Sequence, residues 1–405
     1  MQVYPITLIL IITMVLIPDI YLYCRFMRNR VNKSTAVLHW IISAYFLITS
    51  CGILFNINHI FSPTTHFKMT MFVCILGLVY ATKVVFCTFD LVFFLTKKRW
   101  RKIQYLGYIA AGLTFCTILY AIHIGRFHFI KTEETVEIED LPDSFDGYRI
   151  LHTSDFHLGS FGHSQKRLEY VFDSMEAQHP DIIVFTGDMV NNFATECNGW
   201  KYLFDKLHCP DTKLAILGNH DYGAYYDWDN EDLRSMNEIA IRQEIRDFGF
   251  KLLLNSHHFV TRGNDTIAFI GVENWGTSKR LENKADFPKA YKGTERIKTK
   301  ILLSHDPTTW PRGVRDTTDI VLTLSGHTHG GQIGIETKWF RMSPAMFMIK
   351  YWDGLYKEYG KYIFVSRGMG CVGIPARLGI SPRFTIITLK KKKKEHESQG
   401  DNVSH

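Results

Sequence analysis

The sequence predicts two unlike regions: an N-terminal set of four transmembrane helices within residues 1–125, and an α/β domain over residues 147–390. Three observations predict this. The chain has 405 residues, more than one ordinary core of about 100–200 residues fills. Its composition changes near residue 125, from apolar runs broken by basic clusters to alternating charged, Gly-rich and strand-like segments. In the second region, five short polar motifs carry carboxylate, amide and imidazole groups, and four of them directly follow a run that reads as a buried strand.

The apolar stretches are Tyr4–Cys24, Ala36–Phe55, Met69–Leu95 and Ile103–Ile124. Each approaches or exceeds the about 20 helical residues that cross a hydrocarbon core. The first has no basic n-region and no small-residue cleavage site before Arg25, so it reads as a retained anchor. The first loop holds Arg25, Arg28, Arg30 and Lys33, and the third holds Lys97, Lys98, Arg99, Arg101 and Lys102. The second holds only Lys68. That asymmetry puts loops one and three in the cytoplasm. The chain is then expected to be a multi-pass protein of the inner (cytoplasmic) membrane, with its C-terminal domain outside the cytoplasm. Lys83 and Asp90 share one face of the third span and read as a neutralised pair that pins helices together. Five cysteines fall in the spans; Cys197, Cys209 and Cys371 make no disulfide framework or zinc knuckle, and a Cys197–Cys209 pair stays open.

Residues 126–146 are acidic and read as a linker. Strands are expected at Tyr148–Thr153, Asp181–Thr186, Lys213–Leu217, Lys251–Asn255, Thr266–Val272, Lys300–Leu303, Asp319–Leu324, Tyr362–Val365 and Phe384–Leu389, with helices at His163–Gln178 and Glu231–Phe248. Alternation of strands with helices argues an α/β domain, and the strand-rich later part argues a second sheet packed on the first. Residues 391–405 read as a polar, basic tail.

The five motifs are Asp155-Phe156-His157, Gly187-Asp188, Gly218-Asn219-His220-Asp221, Ser304-His305-Asp306 and Gly326-His327-Thr328-His329-Gly330-Gly331-Gln332. Ligands at successive strand ends converge on one rim, where open α/β sheets bind. In Asp155-x-His157 the intervening side chain points away, so carboxylate and imidazole aim at one ion. Gly187 leaves room beside Asp188, whose two oxygens allow it to bridge two cations. Asn219 offers a neutral oxygen, and His305 and His327 offer nitrogens. Nitrogen and oxygen donors without thiolate suit manganese, iron or zinc. His220, beside Asn219 and near Asp221, reads as a catalytic pair with that carboxylate: Asp221 orients the ring and raises its pKa, and the ring donates a proton to a leaving oxygen or stabilises phosphoryl charge. Two metals about 3.5–4 Å apart clamp a phosphoryl group.

These blocks resemble those of the calcineurin-like metallophosphoesterases: D-x-H, G-D, G-N-H-[DE], H and G-H-x-H, all matched over about residues 147–390. The resemblance implies a four-layer α-β-β-α sandwich with two mixed sheets. It implies one divalent metal on Asp155, His157, Asp188 and His329, and a second on Asp188, Asn219, His305 and His327. It gives His220 the catalytic role, with a metal-bridging hydroxide as nucleophile. The run Ser325–Gln332 with Val365–Gly370 is similar to the bacterial membrane-linked branch that includes phosphodiesterases related to YkuE and YaeI. That branch tends to have Pro-Glu before its last strand, where this chain has Pro382-Arg383.

For the substrate, Arg367 and Arg377 in Gly-rich loops and His163 near the first motif are candidate contacts. Trp339–Tyr359 is rich in aromatic and apolar groups with Lys338, Arg341, Lys350 and Lys357 interleaved. Two readings stand for it: an interfacial patch meeting lipid, or a strand pair and loop packed on the sheet. The expected activity is hydrolysis of a phosphodiester or pyrophosphate, with a lipid-linked one the preferred substrate class and the bilayer and a phosphoester substrate as partners. The alternatives are a metal- and ligand-binding membrane sensor or scaffold without turnover, and a nucleotide-lipid pyrophosphatase if the domain faces the cytoplasm. No nucleic acid is expected, because the domain lacks a longer run of bases interleaved with stacking aromatics.

Overall fold

The computed structural model describes residues 5–55, 65–276 and 283–392. Tyr4 and the tail from residue 393 onward lie outside the described residues. The first region folds as α1 (Pro5–Leu22, extended by a π-helical turn at Tyr23–Met27), α2 (Lys33–Phe55), α3 (His66–Leu95) and α4 (Arg101–His123). All four are long and apolar enough to cross a membrane. Helix is the form such runs take, because it satisfies every backbone group internally where lipid offers no partner.

Lys83 and Asp90 are neutralised, but not by each other. Lys83 Nζ lies 2.7 Å from Asp19 on α1, which also accepts the Tyr80 hydroxyl at 2.9 Å. Asp90 accepts from Arg25 Nε (3.0 Å), Tyr21 Oη (2.7 Å) and Gln104 Nε2 (2.9 Å). Asp19, just after Pro18 in an otherwise apolar run, is the partner that pattern reading passed over. These bonds bind α1 to α3 and bring the first and third loops to the same end of the helices.

The described residues of the second region form fourteen strands. In chain order they are β1 (Ile130–Ile138), β2 (Arg149–Thr153), β3 (Ile182–Phe185), β4 (Lys213–Ala215), β5 (Phe250–Leu252), β6 (Ser256–Arg262) and β7 (Asp265–Gly271). They continue as β8 (Lys300–Leu303), β9 (Leu322–Ser325), β10 (Ile335–Glu336), β11 (Arg341–Met342), β12 (Gly354–Glu358), β13 (Lys361–Val365) and β14 (Arg383–Lys391). One sheet has the order β1-β14-β2-β3-β4-β5, a second β12-β13-β9-β8-β7-β6, and β10-β11 form a separate hairpin. Both large sheets are mixed: β14 runs antiparallel to β2, and β6 and β12 run antiparallel to their neighbours.

Side-chain alternation builds the layers. Ile150, Ile182 and Leu214 meet Phe269, Ile301, Leu322 and Phe364 between the sheets. Leu151, Ile183 and Ala215 face outward onto Phe172 of α5 (Glu169–Glu176) and onto Ile241 and Ile245 of α6 (Glu231–Asp247). On the far side, Ile270, Leu302 and Ile363 are covered by Ala290, Trp310 and Val314 from short helical turns. The order is α-β-β-α, as the resemblance implies.

Three local expectations change. Residues 126–146 are not only a linker: β1 pairs in parallel with β14 along its whole length, from Ile130–Arg383 to Ile138–Lys391. The expected strand Lys251–Asn255 stops at Leu252, and Asn255, at φ 50°, turns the chain into β6. The helix expected from His163 becomes α only at Glu169, after a 3-10 turn at Gln165–Leu168. Gly162 (φ 58°) sits against α3, and a Cβ there would lie 2.8 Å from the Phe67 ring. The domain also rests on α4, where the Arg377 amide donates to the Ala121 carbonyl at 3.1 Å and Ala376 and Leu378 pack on Cys74, Ala121 and Ile122. All eight cysteines are free thiols, Cys197 and Cys209 among them.

Candidate metal centre

The loops after β2, β3 and β4 in one sheet and after β8 and β9 in the other meet at one rim. There they gather Asp155, His157 and His329 in one group, His157, Asp188 and His220 in a second, and Asp188, His305 and His327 in a third. Within each group the donor atoms lie within 4.8 Å of one another. Asp188 Oδ2 lies 3.5 Å from His157 Nε2 and 3.1 Å from His305 Nε2, so its carboxylate stands between two imidazole sets. His157 Nε2 and His329 Nε2 face each other at 3.1 Å, and Asp155 Oδ1 is 3.4 Å from His329 Nε2. Asn219 Oδ1 lies 2.8 Å from His327 Nδ1.

The backbone is strained where these side chains emerge. Asp155, His157, Asp188, His327 and His329 all have positive φ, between 41° and 72°. Such conformations cost about 1–3 kcal/mol each and persist only where surroundings enforce them. Here the enforcement is visible. The Asp155 amide donates to the Gly187 carbonyl (2.8 Å), the His157 amide to the Asp188 carbonyl (3.1 Å), and the His327 amide to Asp155 Oδ1 (3.0 Å). Gly187, at φ 96°, admits no side chain: a Cβ would strike the Gly218 amide and lie 2.9 Å from His305 Nδ1.

Ring orientation follows from the outer nitrogens. His305 Nδ1 is 2.7 Å from the Thr186 carbonyl, which can only accept, so Nδ1 carries the hydrogen and Nε2 is the inward donor. By the same logic His220 Nδ1 donates to the Asn191 carbonyl at 2.7 Å and Nε2 turns inward. Burial, the largest effect, lowers His305, but the Asp188 charge, the hydrogen bond to Asp188 and the Asp155 charge together lift the ring to about 10. Burial would raise Asp188, yet the His305 charge, with hydrogen bonds from His157 and His305, holds it well below the usual carboxylate range. Burial, then the His157 charge, keep His329 neutral. An ionised carboxylate among imidazole nitrogens that crowd one another is a cation-binding set: the 3.1 Å approach of two Nε2 atoms is resolved when both donate to a cation. The donors present therefore fit divalent metal.

Residues 148–331 match the calcineurin-like phosphoesterase family. The metallophosphoesterase YkuE of Bacillus subtilis is 30% identical over 277 residues, covering 67% of this chain and 89% of YkuE. A metallophosphoesterase of Aquifex aeolicus is 32% identical over 270 residues, covering 65% of this chain and 94% of its own. The chain belongs to the calcineurin-like metallophosphoesterases. A zebrafish relative (Danio rerio), a transmembrane protein with a metallophosphoesterase domain, is 28% identical over 265 residues, 63% of this chain and 56% of the relative. As a metallophosphoesterase the chain is a hydrolase of phosphoric esters with a centre of two divalent cations, and its four apolar helices make it a membrane protein.

Several expected roles change. Asp221 does not orient His220. Its carboxylate accepts the amides of Gly218 (2.9 Å), Asp188 (2.8 Å), Met189 (2.8 Å) and Val190 (3.3 Å), bracing the Asp188 loop. His220 is held instead by the Asn191 carbonyl and by Tyr225, whose ring stacks on it at 4.3 Å. Burial lowers His220 to about 4 rather than raising it. Arg367 and Arg377 are buried and already satisfied. Arg367 makes a bidentate pair with Glu336 (2.8 and 2.9 Å) and reaches Asp353 at 2.6 Å. Arg377 donates to the carbonyls of Gly370 (2.6 Å) and Arg367 (2.7 Å) and lies 3.4 Å from His329 Nδ1. Arg377 braces the backbone around His329, Arg367 ties Glu336 to Asp353, and neither has a fork left for phosphate. His163 is exposed and outside the three donor groups.

Two supports had gone unread in the sequence, and a third, Arg383, had been noted there without a role. Tyr225 also accepts Asn219 Nδ2 at 2.8 Å, so one phenol ties Asn219 to His220. Glu196 accepts the amides of Gly159, Asn191, Asn192 and Phe193 at 2.7–3.1 Å and fixes the carbonyl that holds His220. Arg383, which stands where the related branch tends to have Glu, reaches Asp353 at 2.5 Å. None carries a local sequence signal, since each acts on backbone or across the fold.

Proposed function

We propose that this metallophosphoesterase hydrolyses a phosphodiester or pyrophosphate carried by a lipid, at the outer face of the cytoplasmic membrane. The observation that carries the reading is His220: its Nδ1 is committed to a carbonyl, and a ring nitrogen lies among the His157 and Asp188 donors. Asp155, His157, Asp188 and His329 would hold one cation, and Asp188, Asn219, His305 and His327 the other. When bound, the pair supplies a nucleophile derived from water and neutralises phosphoryl charge.

The side chains do the rest. Asp188, well below its usual range, is the shared carboxylate. Asn219 contributes an oxygen without charge, oriented by Tyr225. His220, neutral in its buried setting, gains a proton when a negative phosphoryl group arrives beside it, and Nε2–H then serves the leaving oxygen. With Arg367 and Arg377 spent on protein acceptors, His220 is the proton donor of this reading.

Nine Lys and Arg in the first and third loops against one in the second support an outer location for the domain. Lipid as the carrier is supported by the contacts of the domain with α3 and α4 and by the exposed aromatic segment after Gln332. Assay of the purified chain with manganese tests the reading, against a generic phosphodiester, a phosphomonoester, phospholipids and a nucleotide-diphosphate lipid, with His220→Ala as blank. Turnover of the diester and of a lipid substrate is expected. Turnover of the monoester alone would contradict it.

A further inference from the structure

The β10–β11 hairpin and the turn after it are built inside out. Two of their charged groups reach back to the domain: Glu336 pairs with buried Arg367, and Arg341 reaches Asp353 at 2.7 Å. Their large apolar groups point to solvent. Trp339 is 86% exposed, Phe347 80% and Met348 84%. This is not a loose loop. Thr337 Oγ1 accepts the amides of Trp339 (3.2 Å) and Phe340 (3.1 Å), and the Thr337 amide returns to the Phe340 carbonyl at 2.9 Å. Water penalises a fixed apolar projection of this kind, and a contiguous one marks an interaction surface.

Its position says what covers it. The Gly334 amide donates to the Leu378 carbonyl at 2.9 Å, and the Leu378 amide to the Gln332 carbonyl at 3.0 Å. Leu378 itself packs on Ala121 and Ile122 at the domain end of α4. The hairpin therefore springs from the part of the domain that sits on the membrane helices, just past the end of α4, where Ile124 is itself exposed. Lys338, 5.5 Å from the Trp339 ring, puts an ammonium beside the indole, a pairing suited to the headgroup level.

We propose that the β10–β11 hairpin and the 344–348 turn insert into the adjacent leaflet as a second, monotopic membrane contact. The occupant is the acyl–headgroup boundary of the bilayer that α1–α4 cross. Ser343 and Ala345 also border Gly331, two residues past His329, so the inserted segment links the leaflet to the metal centre. The proposal needs only the membrane anchoring of the chain; its failure would remove one support for a lipid carrier and leave the two-cation hydrolysis untouched.

The test uses the full chain in phospholipid vesicles. Tryptophan emission of the intact protein minus that of Trp339→Phe gives the Trp339 signal. Lipids brominated near the carbonyl end of the acyl chain are expected to lower it at least about twofold, while aqueous acrylamide has little effect. Phe347→Trp in the otherwise intact chain should add a signal that behaves alike, which keeps the test valid if Trp339→Phe folds poorly. Quenching by acrylamide and not by bromolipid would overturn the proposal. A signal shielded from both would mean protein covers the hairpin, for example a second copy, and would also overturn it.

Discussion

Asp188 concentrates the demands of the site. It stands between two imidazole groups, at φ 62°, with its loop braced by Asp221. Asp188→Asn is expected to lower occupancy of both metals in elemental analysis of the purified chain, and loss of only one would argue against sharing. The types of the candidate donors were legible in sequence, because chemistry restricts them to carboxylate, amide and imidazole. Their supports were not: Asp221, Glu196 and Asn191 act on or through backbone groups, which no side-chain pattern records. His152 makes a separate, pH-dependent contribution between the sheets. Burial, then the Arg383 charge, push it from 6.5 to about 3. Its folded form thus stays neutral while the unfolded chain takes up a proton below 6.5. Stability from this residue is complete above about pH 6.5 and falls as pH drops toward 3, by about 1.4 kcal/mol per unit. In thermal unfolding of the full chain, His152→Leu should flatten that acid slope; an unchanged slope would remove His152 as its source.

The strands that end in ligands were the easiest elements to read, since buried parallel strands appear as short apolar runs bounded by glycine. β1 was harder. Its residues alternate between inward and outward positions, with Val136 and Ile138 buried, but Glu133, Glu134 and Glu137 made the stretch look like a linker. Parallel pairing with β14, more than 240 residues away in sequence, stabilises it, and no local pattern reports such a partner. Because β1 follows α4 within a few residues, it also fixes the domain to the membrane helices. Val136→Asp should destabilise the domain by about 3 kcal/mol or more by burying an unpaired charge. A change in thermal unfolding under about 0.5 kcal/mol, the usual surface effect, would mean that β1 is dispensable.

Across the whole molecule, the helices and the domain form one device for acting at a membrane. The domain rests on the ends of α3 and α4, at the side opposite the basic loops that Arg25 and Asp90 draw together. The division into helices and α/β domain was plain from composition, whereas the docking between them was not, because it runs through Gly162, Phe67 and Arg377 rather than through any repeating pattern. A reporter fused after Lys394 should be active only outside the cytoplasm, and a cytoplasmic signal would reverse the topology and favour a nucleotide-lipid substrate. The two-cation hydrolysis itself is tested most directly by measuring metal content and diester turnover together in His220→Ala. Two metals per chain with turnover reduced at least about 100-fold is the predicted result. Full turnover with both metals present would contradict it.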